Sequence, residues 1–121
     1  LEQAQRLQAG GDQAGARPLF DNAVLGFREA LAKAPGSFRA DYALGKCLLA
    51  LGDARSARPH LQAALQRIQE AGSFETAVCE SNLQCLERLG LRAEACQLAR
   101  QWAARRPNDA QAQRALRQFC S

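Results

Sequence analysis

Residues Tyr42–Leu65 read YALGKCLLALGDARSARPHLQAAL, and the fold turns on this stretch. Leu44, Gly45, Leu48 and Leu51 recur at helical spacing, which places them along one side of a helix. Gly52–Asp53 interrupts the pattern. Glycine suits the left-handed turn that ends a helix, and aspartate suits the cap of the next one. Ala57, Leu61, Ala64 and Leu65 then resume the helical spacing. The stretch is two amphipathic helices joined by a tight turn, with small residues, Gly45 and Ala57, where the helices are expected to cross.

The same arrangement lies on either side of it. Gly11 and Gly90 occupy the turn position, 41 residues before and 38 residues after Gly52. In that register Ala16, Ala57 and Ala95 coincide, as do Phe20, Leu61 and Ala99. A helical pair repeated with a period of roughly 20–50 residues marks a solenoid. One pair is too small to bury its own apolar side, so neighbours stack and the core runs between them.

Outward from the centre, the remaining elements follow the same punctuation. Leu1–Ala9 is a short helical piece ended by Gly10–Gly11, with Asp12 as the next cap. A long helix over Gln13–Ala34 turns Ala16, Phe20, Ala23, Val24, Phe27, Ala30 and Leu31 inward, and Pro35–Gly36 stops it. Ser37 caps a helix over Phe38–Leu51. Ala54–Ala71 is a second long helix with Ile68 on its inner side. Ser73 caps Phe74–Leu89, and Arg92–Arg106 buries Ala95, Leu98, Ala99 and Trp102 before Pro107 ends it. Asn108, with Gln111 three residues on, opens a final helix to Cys120. The count is seven helices and no strand. Pro18 and Pro59 both follow Ala-Arg at one distance from a Gly-Asp turn, and each removes a backbone donor. A bend or a late helix start is expected at both.

Composition agrees. The 121 residues suit one ordinary domain, and 47% hydrophobic content is enough to cover a core. Alanine, leucine, glutamine and arginine dominate while β-branched and aromatic residues are scarce, so the class is all-α. No window approaches the ~18 consecutive apolar residues of a membrane span. LEQAQRLQ lacks the basic and apolar regions of a signal peptide. The chain begins without methionine, so a longer parent protein is expected. Five cysteines, an odd number without CxxC spacing, argue against a disulfide framework or a zinc site. Cys47 and Cys85 hold equivalent positions in two units and read as packing residues. A reducing cytoplasm is the simplest setting.

Leu44-Gly45, Leu48, Gly52-Asp53, Ala57, Leu61 and Ala64 together resemble a tetratricopeptide repeat. Phe27, Ala30 and Pro35, and Ala95 through Pro107, are similar to the endings of such repeats. The long second helices and the Ala-Arg-Pro element are closer to variants with repeats of about 40 residues. The resemblance spans essentially the whole chain. It implies a right-handed helical solenoid of about three helix-turn-helix repeats, over residues 1–36, 37–72 and 73–107, with a capping helix over 108–121. It also implies that Gly45 meets Ala57 at a close crossing. Leu83 and Trp102 depart from the pattern, standing where the central unit has Gly45 and Ala64. Trp102 is expected to be core, filling space against Ala112 and Ala115. Arg114, Arg117 and Gln118 supply the polar outer side that a terminal repeat needs.

No catalytic constellation, cofactor motif or metal-ligand spacing emerges. The one histidine, His60, has no nucleophile beside it in the repeat register and reads as exposed and inert. What a solenoid offers is a groove lined by the first helix of each unit. In this register the groove takes Gln5 and Gln8 from the first unit and Arg39, Tyr42, Lys46 and Leu49 from the second. The third contributes Glu80, Gln84, Glu87 and Arg88, and the last helix contributes Arg114 and Gln118. One aromatic, several cations and amides suit a peptide or helix of a partner protein. The resemblance implies the same role, a non-enzymatic interaction scaffold. In chaperone-binding members a set of lysines, asparagines and an arginine holds a C-terminal carboxylate. Gln5, Ala43 and Ala77 stand at places expected for that set, so that activity is not carried over. Two alternatives remain at this point. Six arginines between residues 90 and 121 could serve a nucleic-acid or acidic partner, although no free aromatics interleave with them. Either end of the array could also stack on another copy. No small-molecule substrate and no membrane is expected.

Overall fold

The computed structural model describes Gln5 and residues 13–68 and 72–120. The expectations for Leu1–Ala9 as a helix, for the Asp12 cap, for Gln8 and for a helix reaching Ala71 fall outside those residues. Six helices follow one another: α1 Gln13–Lys33, α2 Phe38–Ala50, α3 Ala54–Arg67, α4 Ser73–Arg88, α5 Arg92–Arg105 and α6 Ala110–Phe119. No strand occurs among the described residues. Each helix packs against the next in sequence, and α2 also meets α4. The protein is an all-helical repeat solenoid.

The turns form for the reasons that their residues suggest. Gly52 takes φ +85° and Gly90 takes φ +74°, a region that side-chain-bearing residues rarely adopt. At both turns the chain folds back onto the helix just ended. Asp53 N donates to Leu48 O at 2.8 Å, and Leu91 N donates to Leu86 O at 2.9 Å. Asp53 then caps α3 by accepting from Ser56 N at 3.1 Å, and Ser37 caps α2 by accepting from Ala40 N at 3.2 Å. The Ser56 hydroxyl and backbone N–H hold the Asp53 carboxyl below its ordinary range.

Several boundaries differ from the expectation. α3 ends at Arg67, because Ile68 turns to an extended backbone with ψ 129°. Ser73 is the first residue of α4 instead of its cap, and Gly72 precedes it without a side-chain bond. The last helix is capped by Asp109, not Asn108: its carboxylate accepts from Gln111 N at 2.8 Å and Ala112 N at 3.3 Å. A carboxylate one residue closer outcompetes the neutral amide for those donors. The prolines delay nothing. α1 and α3 begin five residues ahead of Pro18 and Pro59. The bonds they forgo are to the carbonyls of Ala14 and Arg55 in the first turn, where water can substitute.

Two apolar clusters make up the core. The first joins Phe20 and Val24 of α1 to Leu44, Cys47 and Leu48 of α2 and to Ala57 and Leu61 of α3. The second gathers Leu83, Ala95, Leu98, Ala99, Trp102, Ala112 and Ala115 of α4 to α6. Cys85 of α4 belongs to the first cluster, while Leu65 of α3 packs on the second, so the two interlock at the α3–α4 step. Ala30, expected inside, is exposed. Trp102 is fully buried, as expected.

The close crossing is not Gly45 on Ala57. A β-carbon on Gly45 would lie 2.6 Å from Cγ and Cδ2 of Leu61. The repeat register puts Leu83 and Ala99 at these two positions in the third unit, and both are buried in one cluster. Large and small have exchanged helices, with one methyl more in the third unit. Leu83 stands where Gly45 allows a close approach, and α4 and α5 pack less closely than α2 and α3, as a bulky residue at that position requires.

Polar groups fasten the units. Asn82, buried on α4, donates through Nδ2 to Leu61 O at 3.0 Å and to Val78 O at 2.8 Å. The Cys85 thiol donates to Ala54 O at 3.2 Å. Arg106 binds buried Glu75 through Nε at 3.0 Å and Nη2 at 3.3 Å, which ties the end of α5 to the start of α4. That pairing raises the Arg106 pKa further.

The cysteine reading needs correction. Cys96 and Cys120 form a disulfide, with Cα atoms 4.9 Å apart, that joins α5 to the residue following α6. An odd count excluded only complete pairing, and chain separation hid a contact that the antiparallel return of α6 creates. The premise for a reducing cytoplasm lapses with it. Cys47, Cys79 and Cys85 are free and buried. Burial pushes all three thiols up, Cys79 to about 12.

Gly45→Leu is expected to destabilise the protein by ~2–3 kcal/mol through overpacking, and Leu61→Ala by ~2–5 kcal/mol through a cavity. The double variant copies the Leu83–Ala99 arrangement and should recover at least ~1 kcal/mol relative to the sum in denaturant titration. Strict additivity would refute the crossing. Alkylation of air-oxidised protein should label no cysteine in the native state, three on unfolding without reductant, and all five after reduction. Five labels without reductant would show the bond to be absent.

Candidate functional site

α2, α4 and α6 alternate with α1, α3 and α5 along the chain, and recesses lie on both sides of α4. One, of about 400 Å³, opens between α2 and α4. Gln5, Lys46, Ser81, Gln84 and Arg88 form its polar lining, and Phe20 and Leu49 its apolar part. The other, of about 370 Å³, opens between α4 and α6. Its lining includes Glu80, Gln84, Glu87, Gln111, Arg114 and Gln118 around Leu83, Trp102 and Phe119. Gln84 lines both. Nine of the twelve residues expected on the groove therefore fall into these two neighbouring recesses.

Helical spacing explains the gathering. On α4, Glu80, Gln84 and Glu87 follow one another at steps of four and three, so they share a side of the helix that the core leaves unused. Lys46 and Leu49, three residues apart, also share a side of α2. Leu49 is buried within the first core cluster, so it forms floor instead of a projecting contact. Arg88 donates from Nη1 to Leu49 O at 2.7 Å, which holds its guanidinium toward α2.

Arg39 and Tyr42 sit apart, in an aromatic cluster at the start of α2 and α4. The Tyr42 ring meets Phe74 edge-on with centroids 5.1 Å apart, and Phe38 lies 5.8 Å from the same ring. The Arg39 guanidinium stands 4.7 Å over Phe74, and Lys46 Nζ stands 5.7 Å from the Tyr42 centroid. These are cation–π distances. Phe74 was missing from the expected groove; its position as an apolar residue at a helix start disguised it.

His60 is another correction. It is half-buried, and its Nδ1 lies 3.0 Å from Oδ1 of Asp41, whose Oδ2 accepts from Arg67 at 3.2 Å. Asp41 is only 5% exposed, so this cluster clasps α2 to α3 and leaves no carboxylate for a ligand. Arg106 is likewise committed to Glu75, which removes it from the basic C-terminal face.

The opposite side of the solenoid carries a third recess, of about 540 Å³, between α3 and α5. Gln62, Gln66, Gln97 and Gln101 line it with Arg58, which pairs with Glu94. No sequence signal distinguishes these glutamines from ordinary surface residues. Among the described residues no three His, Cys, Asp or Glu side chains converge as metal ligands, and no helix is long and apolar enough to cross a membrane.

The tetratricopeptide repeat family model matches residues 7–75, more than half of the chain. No curated protein and no solved structure matches it. Repeats of this kind generally mediate protein–protein interaction and are typically non-catalytic scaffolds. The helix pairs, the Gly-Asp turn and the family match agree: the chain belongs to the tetratricopeptide repeat family.

Proposed function

We propose that this protein is a non-enzymatic interaction scaffold that holds a peptide or helix of a partner protein on its α2–α4–α6 face. The observation that carries the reading is the pair of recesses flanking α4. Each has the size of a few side chains, and Lys46, Glu80, Glu87 and Arg114 in them make no ion pair among the described residues. Glu80, Glu87 and Arg114 are thereby available to a guest, and Lys46 is held only by its contact with the Tyr42 ring. The Arg39–Tyr42–Phe74 cluster extends the same face and provides an apolar anchor, the kind of group that dominates binding energy.

We further infer a single domain with repeat units over 1–36, 37–72 and 73–107 and a capping helix over 108–121. Exposed Arg114, Arg117 and Gln118 on α6 support the capping role, since an end helix must turn a polar side to water.

Affinity capture with and without nuclease tests the reading, comparing wild type with Tyr42→Ala/Lys46→Glu after its helicity is checked. A partner retained through nuclease should fall at least about tenfold with the variant. Lys46→Glu alone provides the comparison if losing the Phe74 contact loosens the fold. Capture unchanged by either variant but abolished by nuclease would overturn the groove and transfer the function to the arginine-rich end.

A further inference from the structure

Resting on the groove reading, we propose that the face is electrically polarised across α4. It selects an extended peptide with an acidic and a basic side chain about three residues apart. The recess between α2 and α4 presents Lys46 and Arg88, with no carboxylate among the described residues of its lining. The recess between α4 and α6 presents Glu80 and Glu87 against Arg114. One side of α4 is therefore cationic and the other net anionic.

The fold protects this separation. Arg88 is adjacent to Glu87 in sequence and would tend to cancel it. Its guanidinium is instead held on the α2 side by the 2.7 Å bond to Leu49 O. Glu75 and Asp41, the buried acids of α4 and α2, are occupied by Arg106 and by Arg67 with His60. They add no free negative charge to the cationic recess.

Geometry sets the spacing. A helix with its side chains is ~10–12 Å across, so sites on the two flanks of α4 are separated by a similar distance. A polyproline-II segment advances ~3.1 Å per residue and returns to the same side every third residue. An acid at one position and a base three residues along would therefore reach the two recesses together. Gln84, shared by both, offers a donor and an acceptor to the peptide backbone between them. Such exposed pairs contribute more to selectivity and orientation than to affinity.

A displayed library of random short peptides, selected on wild type and on a charge-exchanged variant, tests this. The variant is Lys46→Glu/Arg88→Glu/Glu80→Lys/Glu87→Lys; Lys46→Glu/Glu87→Lys, which keeps the Arg88 bond, serves if the first is poorly folded. Wild type should enrich acid–base pairs in one order along the peptide and the variant the reverse order. A synthetic peptide in the wild-type order should bind wild type about tenfold more tightly than its charge-swapped counterpart, with the difference shrinking as salt rises. Enriched peptides without charge order, or with the same order on both proteins, would overturn the polarity and leave the groove standing. Failure to enrich any peptide sensitive to the recess residues would overturn both.

Discussion

The position of Leu61 governs the rest of the structure. Its side chain is fully buried against a residue with no side chain, Gly45, at a separation that a β-carbon would violate. Its carbonyl accepts from Asn82 of the following unit. One residue thus sets the distance between α2 and α3 and also anchors α4 on that pair. A buried amide with both bonds formed is specific in a way that apolar contact is not, because any slip leaves its donor unpaired. Apolar volume determines how close the helices come, and Asn82 determines their register.

The spacing of the helix pairs follows from the same constraint. Two helices approach only as far as the bulk at their crossing allows. Gly45 beside Leu61 lets α2 and α3 come close, whereas Leu83 at the position of Gly45 leaves α4 and α5 less closely packed. The last described helix has a different difficulty. α6 has only ten residues, too few to be stable alone. Trp102 packed with Ala112 and Ala115, the Asp109 cap and the Cys96–Cys120 bond hold it in place. A cross-link closing a loop of this size contributes about 3 kcal/mol, in the chain-entropy account, by restricting the unfolded chain.

The partition of charge connects packing to function. Asp41, Glu75, Arg67 and Arg106 are absorbed in clasps between helices. Lys46, Glu80, Glu87 and Arg114 lie on the faces of α2, α4 and α6 that packing leaves over. These surface charges can therefore change without touching the interlocked clusters beneath them.

The helical class, the Gly52 and Gly90 turns and the repeat register were determined by the sequence itself, because periodicity and turn chemistry act over a few residues. So were the buried Trp102, the Ser37 and Asp53 caps, and most of the polar residues lining the two recesses beside α4, since helical spacing alone decides which residues share a face. Tertiary structure decided what depends on residues far apart in the chain. It set Leu61 and not Ala57 against Gly45, joined Cys96 to Cys120, and drew His60 onto Asp41. It also buried Leu49 and brought Phe74 beside Tyr42. The choice between competing local signals, such as Asp109 over Asn108, lay below the resolution of pattern as well. Each of these rests on the rotation and offset of one helix against another, and those are settled only when volumes and polar partners are satisfied together.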